Sequence, residues 1–184
     1  MTPRLKSLYE NNIVNNLMTK LNFKNKNQAP KLIKIVINMG LGEDASDGKK
    51  VQTSLEDLTL ISGQKAVITK FKKSISNFKT RQGQSAGVKV TLRSNRMYEF
   101  VDRLVNIALP RIKDFRGLKS SGIDKSGNYS FGIKEHIVFP EVNFDKVDKI
   151  RGLDITIVTS SSSKQSTLAL LKEFNFPITE KKER

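Results

Sequence analysis

The chain has no cysteine, no tryptophan and a single histidine, His136. Without cysteine there is no disulfide scaffold, thiolate zinc site, iron–sulfur cluster or thiol nucleophile. One histidine leaves no His cluster for a metal. No apolar run approaches the ~18 residues of a membrane span. The start, Met1-Thr2-Pro3-Arg4, offers no apolar signal region, and Glu10 comes early for an acid-poor transit peptide. Acidic residues are also scarce. Eighteen Asp+Glu stand against 33 Lys+Arg in 184 residues, a net charge of +15 with a pI near 10.0. At this length about 70% of the unfolded surface can be buried, so one core suffices without a staple. Polyanions are the natural partners, with RNA or DNA ahead of a membrane.

The charge is clustered. Residues 1–92 hold 16 basic and 6 acidic side chains, and residues 93–184 hold 17 and 12. Between Asp57 and Glu99 lie 41 residues without an acid and with nine cations: Lys65, Lys70, Lys72, Lys73, Lys79, Arg81, Lys89, Arg93 and Arg96. Such a stretch makes the uninterrupted positive field that a phosphate backbone requires.

Periodicity places these cations on elements. Leu5, Leu8/Tyr9, Ile13, Leu17 and Leu21 predict an amphipathic helix over 3–21, with Thr2 as its cap and Pro3 at its first position. A loop over 22–30 leads to a strand over 31–39, with Ile33, Ile35, Ile37 and Met39 on one face and Lys34 and Asn38 on the other. Val51, Leu55, Leu58 and Ile61 mark a second helix closed by Gly63. A short strand over 65–70 precedes a basic excursion, 71–85, with Gly83 and Gly87 near its tip. In the strand 86–93, Val88, Val90 and Leu92 alternate with Lys89, Thr91 and Arg93. A helix over 95–108, capped by Ser94, ends before Pro110. Residues 110–135 read as loops and hairpins, Ile133–Phe139 and Leu153–Thr159 as strands, and 164–174 as a helix capped by Ser163. Residues 1–179 form one domain with a disordered tail, 180–184.

This order predicts an α+β fold, an antiparallel sheet with helices on one face and the other face open. Alternation lines the open face with Lys34, Asn38, Lys89, Thr91 and Arg93. Lys and Arg would meet phosphates there, while Asn and Thr would bond sugar hydroxyls or base edges. Phe71 and Phe78 either stack on an RNA loop or anchor the excursion to the core.

Catalytic constellations are missing. His136 sits in a strand-like run with no nucleophile pattern, and neither a phosphate-loop nor an H-E-x-x-H motif occurs. Met39-Gly40-Leu41-Gly42 is followed by Glu43 and Asp44 where a phosphate loop needs donors, so it reads as a tight turn. Glu141, Asp145, Asp148 and Asp154 lack calcium-loop spacing. No metal, cofactor or small-molecule substrate is expected. A nuclease remains the enzyme alternative, and a pure protein-interaction module the third class. The outward face of helix 95–108 mixes Glu99 and Asp102 with Arg96 and Arg103, which suits a DNA groove poorly. Strand 86–93 has no aromatic residue, unlike an RNA-recognition-motif strand, so shape, phosphate and 2′-OH recognition of a folded RNA is the expected mode.

Seven stretches carry a family resemblance: Ile35-Val36-Ile37-Asn38-Met39-Gly40, Ile61-Ser62-Gly63-Gln64-Lys65, Phe78-Lys79-Thr80-Arg81-Gln82-Gly83, Val88-Lys89-Val90-Thr91-Leu92-Arg93, Pro110-Arg111-Ile112-Lys113-Asp114-Phe115-Arg116-Gly117, Gly127-Asn128-Tyr129-Ser130 and Lys149-Ile150-Arg151-Gly152-Leu153-Asp154-Ile155-Thr156. Over nearly its whole length the chain resembles the fifth protein family of the large ribosomal subunit, the 5S-rRNA-binding family, in bacterial or organellar form. The resemblance implies a concave sheet face that holds 5S rRNA. Its implied contacts are Asn38, Met39, Gln64, Lys70, Lys73, Ser74, Thr91 and Arg93, joined by Lys34, Lys72 and Lys89 from charge and alternation. It further implies that the excursion reaches the elbow of the P-site tRNA through Phe78, Lys79, Arg81, Gln82 and Gly83, the last three and Lys79 nearest the tip. A bridge to small-subunit protein thirteen would use Arg111, Lys113, Asp114, Arg116, Glu135 and His136. Large-subunit rRNA and neighbouring 5S-associated proteins complete the implied partners, without a membrane, and the implied place is a cytoplasmic ribosome, an organellar one being equally open. Phe71-Lys72 departs from the family pattern, which has a small residue followed by Arg. Lysine keeps the charge but loses bidentate phosphate geometry.

Overall fold

Alternating hydrophobicity and capped helical runs produce five principal strands and four helical regions in the computed structural model, which describes residues 2–144 and 147–179. The expected tail over 180–184, and Asp145, lie outside the described residues. The helices are α1 (Arg4–Leu8), α2 (Val14–Leu21), α3 (Gly48–Ser62), α4 (Ser94–Arg103) and α5 (Lys164–Glu173). A π-helical turn, Tyr9–Ile13, joins α1 to α2, and another, Leu104–Ala108, extends α4. The strands are β1 (Leu32–Gly40), β2 (Val67–Lys70), β3 (Ser85–Leu92), β4 (Leu118–Lys119), β5 (Tyr129–Ile133), β6 (Leu153–Thr159) and β7 (Ile178–Thr179). Five of them form an antiparallel sheet in the order β2-β3-β1-β6-β5, and β4 pairs with β7 in parallel. This is the α+β architecture expected from the sequence.

The chain divides into two compact units, with β1, β3, β5 and β6 each contributing residues to both. Among the described residues, unit 1 comprises 2–35, 92–131 and 156–179. Its core holds Leu5, Ile13, Leu17, Phe100, Leu104, Leu170 and Phe174. Tyr9 stacks on Phe174 at 5.9 Å between centroids and donates to Pro30 O at 3.0 Å, which ties the first helical region to the entry of β1. Ser163 caps α5 as expected by accepting from Ser166 N–H. Two other caps differ. Pro3, not Thr2, occupies the cap of α1, and its carbonyl accepts from Lys6 and Ser7. Ser94 adopts φ 51 and caps nothing.

Among the described residues, unit 2 comprises 36–91, 132–144 and 147–155. Ile37, Met39, Val88, Val90 and Ile155 are buried on one side of their strands, and Val51, Leu58 and Ile61 are the buried residues of α3. Asp47 accepts from Lys49 N–H at the start of α3, and Gly63 closes it at φ 65, the left-handed conformation that glycine adopts without a Cβ clash. The predicted strand Ile133–Phe139 is replaced by the end of β5 and a 3-10 turn, His136–Val138. The cause is local: the backbone N–H of His136 bonds Arg151 O at 2.9 Å, and its ring turns inward to the same residue.

Candidate nucleic-acid interface

The face opposite the buried one is polar, as alternation requires. In unit 2, Lys89 is exposed and Asn38 and Thr91 are half-buried, while Val88 and Val90 between them are buried. The register of β2 against β3 sets Val67 opposite Lys89 and Thr69 opposite Gly87, so these residues share that face. Gly87 itself permits the close approach of β1: a Cβ there would stand 2.6 Å from Met39 O. Gln64, half-buried after α3, donates its side-chain amide to Thr91 O at 3.1 Å. In unit 1, Arg93 is exposed and Lys34 half-buried.

Met39 belongs to the other side. It is 0% exposed, in register with Ile35 and Ile37, so its side chain does not line the open face. The first part of the β1 pattern also breaks: Leu32 is buried and Ile33 exposed, so the apolar face begins at Leu32 and resumes at Ile35.

The excursion is an ordered hairpin. Ile75 and Thr80 exchange backbone hydrogen bonds at 3.1 and 3.2 Å. Lower down, Phe71 N–H bonds Gln84 O at 2.9 Å, and Gly83 N–H bonds Phe71 O at 3.0 Å. Ser74 Oγ accepts from Gln82 N–H at 2.9 Å. The turn is Ser76–Phe78, with Lys79 at φ 52. Its tip is therefore Ser76–Lys79; Arg81, Gln82 and Gly83 sit on the returning arm, and Gly87 lies within β3. Phe78 is 75% exposed, so it does not anchor the excursion, and Phe71 is half-buried. Lys70, Lys72, Lys73, Lys79 and Arg81 are all exposed.

Electrostatics separate the charges of unit 2 into two groups. Asp44 pairs with Lys50 and Lys149, both at 2.9 Å, and Arg151 makes two bonds to Asp148 at 2.8 and 2.9 Å. The lysine hydrogen bonds pull the Asp44 carboxyl down to about 2, and the Arg151 guanidinium lowers that of Asp148. Asp57 moves the other way, because burial opposes its charge more than His136 and Arg151 favour it. By contrast, Lys65, Lys70, Lys72, Lys73, Lys79, Arg81 and Lys89 make no ion pair among the described residues. Asp44 and Asp148 carry their own counterions, and the seven lysine and arginine side chains just named stay available to an external anion.

The remaining candidates fall into separate places. Arg111, Lys113, Asp114 and Arg116 are exposed in unit 1, and Glu135 is exposed in unit 2. His136 is a correction to the sequence-based site. Its side chain is 0% exposed, with Nδ1 accepting from Arg151 N–H at 3.1 Å and Nε2 3.6 Å from Asp57 Oδ2. It holds the turn and cannot reach a partner. Among the described residues, no group of His, Asp and Glu is arranged to hold a metal ion. Two residues of the open face escaped the sequence reading. Ser130 and Thr156 join their hydroxyls at 3.0 Å across β5 and β6. Alternation along β6 marks Thr156, but the glycine-rich run around Ser130 reads as loop.

Comparison with known proteins places the chain in a family. The family described as ribosomal protein L5 matches residues 25–81, and the ribosomal L5P family C-terminus matches residues 85–178. The large ribosomal subunit protein uL5 of Pelagibacter ubique (strain HTCC1062) is 61% identical over 181 residues, 98% of each chain. That of Anaeromyxobacter sp. (strain Fw109-5) is 54% identical over 177 residues, 96% of this chain and 98% of the relative. With both family parts matched in order and identity sustained from end to end, the chain belongs to the ribosomal protein uL5 family.

Proposed function

We propose that this chain is a structural constituent of the large ribosomal subunit, not an enzyme, and that it holds 5S rRNA and helps attach it to the subunit's central protuberance. The observation that carries the reading is the run of exposed cations without internal partners from Lys65 to Lys89, on and beside an open sheet face that also offers Asn38, Gln64 and Thr91. Lysines neutralise phosphates, and the amides and hydroxyl read sugar hydroxyls or base edges. Lys34, Lys72, Lys73, Ser74 and Arg93 extend the contact, with Met39 contributing through its backbone alone.

The hairpin over 71–85 supplies the contact to the P-site tRNA elbow, led by Phe78 and Lys79 at the tip, with Arg81, Gln82 and Gly83 on the returning arm. The exposed Arg111, Lys113, Asp114 and Arg116, with Glu135, serve the bridge to small-subunit protein thirteen. Large-subunit rRNA and neighbouring 5S-associated proteins are further partners, in a cytoplasmic ribosome or an organellar one.

The test is a titration of the purified chain with 5S rRNA and an unrelated folded RNA of equal length, over a series of salt concentrations. A preference for 5S rRNA that persists as salt rises supports the reading. Equal, steeply salt-dependent binding to both leaves only charge and overturns the specificity.

A further inference from the structure

We propose that a cavity in unit 1, outside the sheet-face residues, takes an unstacked nucleotide of single-stranded RNA; this rests on the reading of the chain as an RNA binder. The cavity measures about 540 Å³ and lies between the loop before β1 and the serine turn after β6. That is within the ~300–1,000 Å³ of small-ligand sites. Phe23, Asn27, Gln28, Lys31, Ser160 and Ser162 are among the residues that line it.

Four features fit a nucleotide. The walls come from two segments with no acid at all: residues 11–42 hold five lysines, and residues 155–172 hold two. The side chains of Asn27, Gln28, Lys31 and Ser162 make no hydrogen bond or ion pair among the described residues, so both donors and acceptors are free at one rim. Carboxamides carry both functions and match a base edge, whereas an acidic peptide would use the lysines and leave the amides idle. Phe23 is half-buried and can offer ring surface to a base. The frame is rigid: Lys31 N–H donates to Ser160 Oγ at 3.0 Å, and Ser160 N–H donates to Lys31 O at 2.9 Å.

The experiment is an NMR titration of the full chain with a single-stranded RNA hexamer, and with an abasic ribose-phosphate hexamer of the same length. The expected result is shifts at the Asn27 and Gln28 side-chain amides and at the Ser160–Ser162 backbone with the RNA, and none there with the abasic chain. Phe23→Leu lowers hexamer affinity about tenfold, the size of one lost stacking contact, and leaves 5S rRNA affinity unchanged. The exposed variant Gln28→Ala, which does not touch the core, also weakens the hexamer. Silence at these residues, or equal response to the abasic chain, overturns the proposal. If 5S rRNA still binds in that case, only the cavity is wrong; if neither RNA binds, the RNA reading itself fails.

Discussion

His136 and Asp44 stand at opposite ends of what a single polar residue does in this molecule. His136 is sealed in unit 2 and accepts from the Arg151 backbone, so removing its ring leaves both a cavity and an unpaired N–H. His136→Ala is expected to cost roughly 2–4 kcal/mol, read as a lower urea midpoint with an unchanged m-value. Asp44 instead links pH to stability through Lys50 and Lys149. Its folded pKa, about 2, is below its ordinary 3.8, so the folded state holds the carboxylate more strongly. The stabilisation is complete above pH ~4 and fades as pH falls toward 2. Urea midpoints across that window should fall less steeply for Asp44→Asn than for the native chain. Asp57 has the reverse sign: its raised pKa makes ionisation a cost that grows as pH climbs past the ordinary carboxylate value.

Among the elements, β3 is constrained by its neighbours on both faces and at one close backbone approach. Its residues alternate between core and open face, and Gly87 sits where β1 passes too close for a side chain. Gly87→Ala is expected to destabilise the chain by about 1–3 kcal/mol, because the obstacle is the backbone carbonyl of Met39, which no rotamer change moves. Loss of amide-exchange protection along β1 and β3, ahead of α3, is the signature to look for. The hairpin after β2 is held by paired backbone bonds, so it should keep its amide protection without RNA. Strand and helix periodicity made β1, β3, β6 and α5 readable to within a residue or two. The strand assigned over Ile133–Phe139 was misplaced because its apolar pattern reflects inward packing of a turn, which a linear pattern does not separate from a strand.

At the scale of the whole molecule, the two compact units are not successive segments: the chain crosses between them after Ile35, Thr91, Phe131 and Ile155. Neither can be cut out by a single truncation. The expectation is one cooperative transition, with calorimetric and van't Hoff enthalpies equal. The charge also acts at this scale. Lys73→Ala should weaken 5S rRNA binding and reduce the slope of log K against log salt by about 0.9, the counterion of one phosphate contact, while leaving the melting curve intact, since Lys73 is exposed and unpaired. Arg93→Ala should behave alike.

Composition and order along the chain were enough to determine the class of partner, the α+β layer and most of the polar sheet face. Net charge, acid-free runs and period-2 alternation are properties of a linear string and survive any folding detail. Which way Ile33 faces at the start of β1, where the tip of the excursion falls and whether His136 meets solvent were decided only by the tertiary structure. The tip depends on the bridge between Ile75 and Thr80 with Lys79 turned to positive φ, and the burial of His136 on contacts with residues far away in the chain, Arg151 and Asp57. Burial is a property of such encounters, and no local pattern of polarity encodes the partner.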